Sequence, residues 1–152
     1  MIVYRLQKAK HGADISGKGS TLTGGRWNLL GSNPILYTAS NKSLAILEVL
    51  AHLPSPQTVA PKLILLDIFL PDKDIVQIEE KTLPVGWRLR GYQRIVQEWG
   101  TNWLRSNSSL AISVPSYISM DFNVLINPNH TRFNKVIVVH EQPNFTIDKR
   151  LL

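Results

Sequence analysis

The sequence predicts an α+β fold, and two observations lead to that class. First, the 152 residues are 43% hydrophobic and contain no internal repeat, low-complexity tract or linker, which indicates a single domain over 1–152 with a substantial core. Second, several short strand-like runs occur together with two helical patterns and without a regular βαβ alternation. We therefore expect short mixed or antiparallel strands packed with a few helices.

Seven short runs are predicted to be strands, and prolines border several of them. They cover residues 2–6, 35–39, 62–70, 110–114, 124–126, 135–140 and 144–151. The run at 62–70 is nearly continuous in aliphatic residues, which is typical of a strand buried on both faces. Residues 7–33 and 71–90 show little periodicity and are expected to be irregular. The prolines within 54–61 predict a further loop.

Two segments carry the periodicity of amphipathic helices. Residues 41–53 follow a predicted N-cap at Ser40 and stop before a proline. Their apolar side chains fall at helical spacing, and the predicted core-facing stripe contains Ile46, Val49, Leu50 and Leu53. Residues 92–105 form the second predicted helix. One face of it is predicted to contain Ile95, Trp99 and Trp103.

Charge and composition narrow the class of ligand. Seventeen Lys and Arg against eleven Asp and Glu give a net charge of +6, which favours anionic partners such as nucleotides, nucleic acids or acidic proteins. The basic residues are scattered and show no recognition-helix pattern, so direct nucleic-acid binding is not indicated. The four histidines lack metal-ligand spacing and the chain has no cysteine, so no metal site is predicted.

Targeting signals and membrane segments are not predicted. The longest aliphatic run, Leu63 to Leu66, is stopped by Asp67 and is far too short for a bilayer span. Residues 1–6 lack the basic flank and long apolar region of a signal peptide. The absence of cysteine fits a reducing compartment, and the expected location is the cytoplasm.

The segment Gly24-Gly25-Arg26-Trp27-Asn28 is the most informative one for function. Its two glycines allow positive φ angles and a close approach of the backbone to a ligand. Arg26 adds a planar, permanently charged group that suits a phosphate or a carboxylate. The alternative is a β-turn that carries a surface arginine.

Glu48 and Tyr37 are the next candidates. Glu48 is the only acidic residue between Asp14 and Asp67, and helical spacing places it opposite the predicted core stripe. That face is mostly small and apolar, so it is either a solvated face or the floor of a cleft. Tyr37 on the preceding strand is either a core aromatic residue or a ring that stacks on a flat ligand group.

Three further residues have both a structural and a functional interpretation. Arg5 lies near the end of the first predicted strand and is either a surface side chain or a neighbour of Arg26. Ser116 follows a proline and Asn127 precedes one, and at such strand ends both side chains commonly bond nearby backbone. A hydroxyl placed by a proline kink could instead contact a ligand.

Taken in order, these segments resemble the RES-domain family, which is named for characteristic arginine, glutamate and serine residues. The matching segments are Tyr4-Arg5-Leu6, Ser16-Gly17-Lys18-Gly19, residues 24–28, Ile35-Leu36-Tyr37-Thr38-Ala39, residues 44–50, Val114-Pro115-Ser116 and residues 123–128. The resemblance covers about residue 3 to residue 140. Its most specific part is the Gly-Gly-Arg-Trp-Asn segment followed by the tyrosine and the helix glutamate.

The resemblance implies a bacterial toxin of a toxin–antitoxin pair, with a fold like that of ADP-ribosyltransferase toxins and an Xre-like antitoxin as its partner. The implied activity is degradation of NAD⁺ by hydrolysis or phosphorolysis, with NAD⁺ as substrate and no further cofactor. Some members of the family are described as ADP-ribosylating a protein. A homodimer within a toxin–antitoxin complex is compatible with this resemblance.

The resemblance also implies roles for six residues. The implied catalytic residues are Glu48, Arg26, Tyr37 and Ser116, and the implied NAD⁺-binding residues are Arg5, Arg26, Tyr37 and Asn127. In this interpretation Glu48 stabilises the positive charge that develops on the ribose, and Arg26, together with Arg5, binds the pyrophosphate. Tyr37 stacks on the nicotinamide. Ser116 positions the ribose, the amide or Glu48.

Three alternatives remain open from the sequence. One is a mono-ADP-ribosyltransferase that uses the same residues on a cellular protein. Another is a non-enzymatic module that binds nucleic acid or protein through its positive charge, with strongly salt-dependent affinity. The third is a toxin without activity that is retained for antitoxin binding.

Overall fold

A seven-stranded mixed sheet organises the computed structural model, which describes residues 1–53 and 62–152. The strands are β1 (Ile2–Lys8), β2 (Leu36–Ala39), β3 (Leu63–Phe69), β4 (Ile75–Gln77), β5 (Ala111–Pro115), β6 (Phe122–Ile126) and β7 (Ile137–Phe145). Their order across the sheet is β4-β5-β6-β2-β1-β3-β7. The β4–β5 pair is parallel and the other neighbours are antiparallel. The predicted α+β class is confirmed, whereas the loop predicted within 54–61 lies outside the described residues.

Three α-helices occur in the described residues: α1 (Lys18–Thr23), α2 (Lys42–Ala51) and α3 (Arg94–Ser106). None of the helices in residues 1–53 and 62–152 has the length and apolar content needed to cross a membrane. Helix α1 and strand β4 fall in segments that were predicted to be irregular, and those predictions are wrong. Gly17 explains why α1 packs closely, since a Cβ there would lie 2.7 Å from the Ile35 carbonyl.

Helix α2 has its cap and its buried face in places that the sequence pattern did not indicate. Asn41, not Ser40, is the N-cap, and its side chain accepts a hydrogen bond from the Leu44 amide. The buried side chains are Leu44 and Ala45. The predicted stripe is half-buried at the edge of the same cluster, and Leu53 lies beyond the helix. The face that carries Glu48 therefore turns toward the sheet.

Helix α3 begins and ends close to the prediction, but its buried face is rotated. Ile95 is 57% exposed, whereas Val96 and Leu104 are buried. Trp99 and Trp103 pack at the margin of the cluster under the helix. Ile95 is therefore not part of the core, because the sheet contacts the neighbouring side of the helix.

The end of the chain corrects one predicted strand. Strand β7 continues to Phe145, so residues 144–145 belong to it. Residues Lys149–Leu151 form a 3₁₀ turn that the Asp148 side chain caps through the Arg150 amide. A separate edge strand over 144–151 does not form.

Side chains on the two faces of the sheet enter different clusters, because successive residues of a strand point in opposite directions. Val3, Leu36 and Val124 belong to a cluster on one face. Leu6 packs under α2 on the other face, and Leu125 packs there under α3. The two helices thus cover neighbouring parts of one face and leave the strands between them accessible.

The sheet opens between strands β1 and β2, in the region between helices α2 and α3. Strand β1 pairs with β3 along its whole length, but with β2 it shares the single pair Tyr4–Ala39. Arg5 lies beside this opening, where its Nη1 donates to the Tyr37 carbonyl at 2.7 Å. The guanidinium thus satisfies a backbone acceptor that has no partner on β1.

Candidate functional site

A cavity of about 770 Å³ lies over the opening between the strands, and its volume is within the range of pockets that bind small molecules. Strands β1 and β2 supply its floor, helix α2 supplies one wall, and residues 23–27 supply the facing wall. Tyr92, Tyr117 and Asn123 contribute from three later segments of the chain. Residues distant in sequence therefore meet around one hollow.

Glu48 lines this cavity from α2, and its carboxylate has a defined position. Its Oε1 accepts a hydrogen bond of 3.0 Å from the Asn123 Nδ2 on β6. Among the described residues that line the cavity, Glu48 is the one carboxylate. The cleft interpretation of this helix face therefore agrees with the geometry.

His52 joins the end of α2 to the loop that precedes α3. Its Nδ1 lies 2.6 Å from the Glu48 carbonyl, and its Nε2 lies 3.2 Å from the Tyr92 hydroxyl. His52 and Tyr92 both line the cavity. This contact fixes the position of Tyr92 at the edge of the site.

Arg26 lines the cavity with its guanidinium held from two sides. Its Nη1 donates to the carbonyls of Trp87 at 2.8 Å and Leu89 at 3.1 Å. The Tyr117 ring lies against the guanidinium, with 4.0 Å between the Arg26 Cζ and the ring centroid. The remaining N–H groups of Arg26 are therefore presented in a fixed orientation.

Tyr37 forms part of the floor, and its hydroxyl holds the turn that carries Arg26. The hydroxyl donates to the Asn28 Oδ1 at 2.7 Å and accepts from the Trp27 amide at 3.1 Å. Burial raises the pKa of Tyr37 well above its usual value, so the phenol is neutral and cannot act as a base. Gly25 packs directly on it, since a Cβ there would lie 2.5 Å from the hydroxyl.

The turn at residues 24–28 is also fastened to α3. Gly24 has φ +67°, a conformation that favours glycine. The Gln97 side chain donates to the carbonyls of Gly25 at 2.8 Å and Asn28 at 3.2 Å. Trp27 is buried among the aromatic side chains beneath α3. The predicted β-turn is present, since Gly25 and Asn28 form an isolated bridge, but Arg26 is not a free surface side chain, because this turn is an anchored wall of the cavity.

Arg5 reaches the cavity from β1, and it is half-buried. Besides the Tyr37 carbonyl, its guanidinium bonds the Gln7 side chain. Burial lowers the pKa of Arg5 from its usual value, and attraction to Asp14 opposes that change. Arg5 and Arg26 bond different carbonyl groups, that of Tyr37 for Arg5 and those of Trp87 and Leu89 for Arg26, and both residues line the cavity.

Ser116 does not line the cavity. It is 1% exposed, and its Oγ accepts a hydrogen bond from the Ile118 amide at 3.1 Å. The same residue's amide donates to the Asp121 carbonyl at 2.8 Å. We correct its predicted role accordingly: Ser116 shapes the turn that places Tyr117 in the cavity wall.

Asn127 also lies away from the cavity, and it is fully buried. Its Nδ2 donates to the Asn107 side chain at 3.1 Å, and its Oδ1 accepts from the Asn129 amide at 3.0 Å. These bonds tie the end of β6 to the end of α3. Its predicted contact with the dinucleotide is wrong, because its amide is committed to this junction.

Of the six residues singled out from the sequence, the structure brings Arg5, Arg26, Tyr37 and Glu48 to one cavity. It also adds residues that were not selected, namely His52, Tyr92, Tyr117 and Asn123. Asn123 lay within a segment that carried the family resemblance, and its pairing with Glu48 follows from β6 lying next to β2. No sequence signal identified the two tyrosines. In residues 1–53 and 62–152, no group of three or more acidic, histidine or cysteine side chains could hold a metal ion.

The chain is similar to known proteins over almost its whole length. A family model described as RES domain matches residues 2–148. A protein named Toxin Res from Photorhabdus laumondii subsp. laumondii is 36% identical over 100% of this chain and 97% of its own length. Another Toxin Res, from Yersinia enterocolitica, is 33% identical over 99% of both chains. The Prs ADP-ribosylating toxin of Sphingobium sp. is 39% identical over 77% of this chain and 74% of its own length.

A solved structure shares the fold. It is a chain from the crystal structure of the M. tuberculosis MbcT–MbcA toxin–antitoxin complex, with a TM-score of 0.78 and 18% sequence identity. The match covers 99% of this chain and 85% of that one. At this identity the likeness concerns the arrangement of strands and helices.

Proposed function

This chain belongs to the RES domain family and is a toxin of that family, and we propose that it degrades NAD⁺ by cleaving the bond between nicotinamide and ribose. The observation that carries the proposal is the position of Glu48. Its carboxylate is held by Asn123 inside a cavity that arginines enter from two other segments. A single carboxylate near cationic side chains suits a ligand that combines a ribose with phosphates.

The chemistry requires stabilisation of positive charge at one carbon. As the bond from C1′ of the ribose to the nicotinamide nitrogen breaks, both bonding electrons go to the nicotinamide and the ribose becomes oxocarbenium-like. A carboxylate fixed beside that carbon stabilises the transition state more than the ground state. Glu48 has this role in our proposal. Nicotinamide leaves as a neutral molecule, so a second carboxylate acting as general acid is not required.

The two arginines would hold the diphosphate. Arg26 keeps N–H groups available beside the Tyr117 ring, and Arg5 offers its guanidinium from the opening between β1 and β2. Fixed, charge-assisted contacts with phosphate oxygens orient the ligand and reduce the entropy lost in reaching the transition state. The exposed face of the Tyr37 ring would stack on the nicotinamide. Its hydroxyl remains occupied by the turn.

The acceptor distinguishes hydrolysis from phosphorolysis. Attack of water on C1′ gives ADP-ribose, nicotinamide and a proton, whereas attack of inorganic phosphate gives ADP-ribose 1″-phosphate and nicotinamide. Purified protein should be incubated with NAD⁺, with and without phosphate, and the products identified by mass spectrometry. We expect release of nicotinamide in at least one of these conditions. Intact NAD⁺ under both conditions, in a protein shown to be folded, would refute the proposal.

Transfer of ADP-ribose to a protein is the second candidate, and the name of the Sphingobium relative favours it. The same residues would serve, because the bond that breaks is the same. NAD⁺ labelled in its adenosine portion, incubated with a cell lysate, separates the two activities. A transferase leaves label on a protein band, whereas a hydrolase or phosphorylase leaves it in small molecules.

An antitoxin is the proposed partner. The structural neighbour comes from a toxin–antitoxin complex, and the family resemblance suggests an Xre-like protein. Co-expression with the protein encoded next to this one should give a stable complex and restore growth. Growth arrest that persists despite formation of the complex would contradict neutralisation by that partner.

A further inference from the structure

We propose that the end of the cavity farthest from Glu48 is a subsite for a phosphate on the adenosine ribose, so that NADP⁺ is a substrate in addition to NAD⁺. This inference rests on the proposed cleavage of NAD⁺ and extends it to 2′-phosphorylated dinucleotides. It depends on the charges along the cavity floor and on the sheet register that orders them.

Lys8 and His11 line the cavity in addition to Arg5 and Arg26. The described lining therefore contains three Lys or Arg side chains and two histidines, His11 and His52, against the single carboxylate of Glu48. The diphosphate of NAD⁺ carries two negative charges, which the two arginines match. The Lys8 ammonium is thus one cation more than an unsubstituted dinucleotide requires.

The register of the sheet gives the order of these groups along the floor. Tyr4 pairs with Ala39, and Ala39 pairs with Asn123, so the residue that holds Glu48 is level with the start of β1. Lys8 is four residues further along the same strand, or about 13 Å away at about 3.3 Å per residue. Its side chain points to the α2 face, as that of Leu6 does.

Between these two levels lies the middle of the cavity. Tyr37 is two residues before Ala39 on an antiparallel strand, so it is about halfway from Asn123 to Lys8. The Arg5 side chain leaves β1 on the face opposite α2, as that of Val3 does, and its guanidinium turns into the opening between β1 and β2, where it bonds the Tyr37 carbonyl at this middle level. From the Glu48 end, the order is therefore carboxylate, a guanidinium in the opening, then ammonium.

The covalent order of a nicotinamide dinucleotide follows the same sequence. A nicotinamide ribose beside Glu48 is followed by the diphosphate beside Arg5 and then by the adenosine ribose toward Lys8. A phosphate on the 2′-hydroxyl of that ribose would meet Lys8 and His11. Gly19 and Ser20 of α1 also line the cavity, and Ser20 accepts from the amide of Ile35, which the register places level with Lys8, so small side chains leave room for the added group.

Two observations indicate which phosphate the Lys8 end of the cavity would bind. Asp14 is the acidic residue near it, but its Oδ1 accepts from the Ser16 amide and its side chain does not line the cavity. A free phosphate that attacks C1′ must lie next to Glu48, which the register places at the other end. The subsite therefore suits a phosphate that the substrate itself carries.

The experiment compares kcat/KM for NADP⁺ and NAD⁺ in three variants and the parent protein. We expect the parent protein to cleave both dinucleotides. Lys8→Ala and His11→Ala should each lower the ratio of kcat/KM for NADP⁺ to that for NAD⁺ by about fivefold, through KM, because one contact with the phosphate at an exposed site is lost. Lys10→Ala is the matched control, since it removes the same charge as Lys8→Ala and Lys10 does not line the cavity. It should leave the ratio unchanged.

The outcomes separate this inference from the function on which it rests. If neither dinucleotide is cleaved, the proposed function fails. If NAD⁺ is cleaved and NADP⁺ is not, or if the ratio is the same in Lys8→Ala, His11→Ala and Lys10→Ala, the subsite is refuted and the function stands. Inorganic phosphate supplies a further arm: loss of a phosphate-stimulated NAD⁺ rate in Lys8→Ala would assign the site to free phosphate and overturn the inference.

Discussion

Replacing Gly25 with alanine tests whether the Tyr37 hydroxyl holds the arginine-bearing turn against the sheet. The added Cβ would lie 2.5 Å from that hydroxyl and 3.0 Å from the Asn28 Oδ1, so one of these groups must move. Overpacking of this kind costs about 1–3 kcal/mol. Loss of the hydroxyl's bonds with Asn28 and the Trp27 amide adds about 1 kcal/mol each. We expect Gly25→Ala to lower the free energy of unfolding by about 3–5 kcal/mol.

Urea denaturation followed by tryptophan fluorescence measures this change. Gly19→Ala is the matched control, because nothing lies within 4 Å of a Cβ built there and the residue is inside α1. It should leave stability unchanged or raise it by up to about 1 kcal/mol. Equal free energies of unfolding for Gly25→Ala and Gly19→Ala would refute the packing described for the turn.

A double-mutant cycle identifies the hydroxyl as the cause. In Tyr37→Phe the atom at 2.5 Å is absent, so Gly25→Ala should cost less in that background than in the parent protein. We expect a coupling energy of at least about 1 kcal/mol, which is typical of residues in contact. Additive effects would show that the two positions do not interact through this hydroxyl.

Three other perturbations test the phenol, the packing of α3 and the position of the carboxylate. Burial raises the pKa of Tyr37, so the folded state keeps its proton above the pH at which the unfolded chain releases it, and the free energy of unfolding should fall by about 1.4 kcal/mol per pH unit above about pH 10. In urea titrations at several pH values, Tyr37→Phe should abolish the part of this slope that Tyr37 contributes. An unchanged slope would contradict the burial of the phenol. Gly100→Ala should lower the free energy of unfolding by at least about 2 kcal/mol, since the added Cβ would clash with the Trp27 carbonyl oxygen. A thermal midpoint equal to that of the parent protein would contradict this contact. Asn123→Ala should lower kcat for NAD⁺ cleavage by about tenfold with little change in KM, because a hydrogen bond to the Glu48 carboxylate is lost. A change confined to KM would contradict the positioning of that carboxylate by Asn123.

The strands were largely predictable from the sequence because their signals are local. The aliphatic run of β3 is buried on both sides, as its composition indicated. The failures lie where distant residues decide the outcome. Helix α1 is short and rich in glycine, serine and threonine, so its stability comes from packing against Ile35 and not from helix propensity.

The candidate site was predictable where a residue type has few alternative uses. Arg26 and Glu48 were selected because an arginine after two glycines and an isolated helix carboxylate are unusual patterns, and both line the cavity. Ser116 and Asn127 were selected through the family resemblance, but their side chains bond neighbouring backbone and side-chain groups away from it. Serine and asparagine side chains form hydrogen bonds with nearby backbone groups as readily as they bind ligands.

Tyr92 and Tyr117 could not be found from the sequence for a different reason. Tyr92 was assigned to the start of the second predicted helix but lies in the loop before α3, and Tyr117 lies in the turn after β5. Each enters the cavity through a contact with a distant residue. Tyr92 meets His52 across 40 positions of the chain. Such contacts depend on how the helices are arranged over the sheet, which local patterns do not specify.

The effect of Glu48→Gln on nicotinamide release, measured together with binding of NAD⁺, tests the role of this carboxylate in catalysis. Loss of the negative charge at the ribose should lower kcat by about 10²–10³-fold. The Kd for NAD⁺ should change by less than about threefold, since a glutamine side chain keeps a similar shape and removes only part of the ligand contacts. Glu141→Gln on strand β7 is the control, because Glu141 is exposed and does not line the cavity, and it should match the parent protein. A Glu48→Gln protein that binds NAD⁺ and releases nicotinamide at the parent rate would contradict stabilisation of the ribose charge by Glu48.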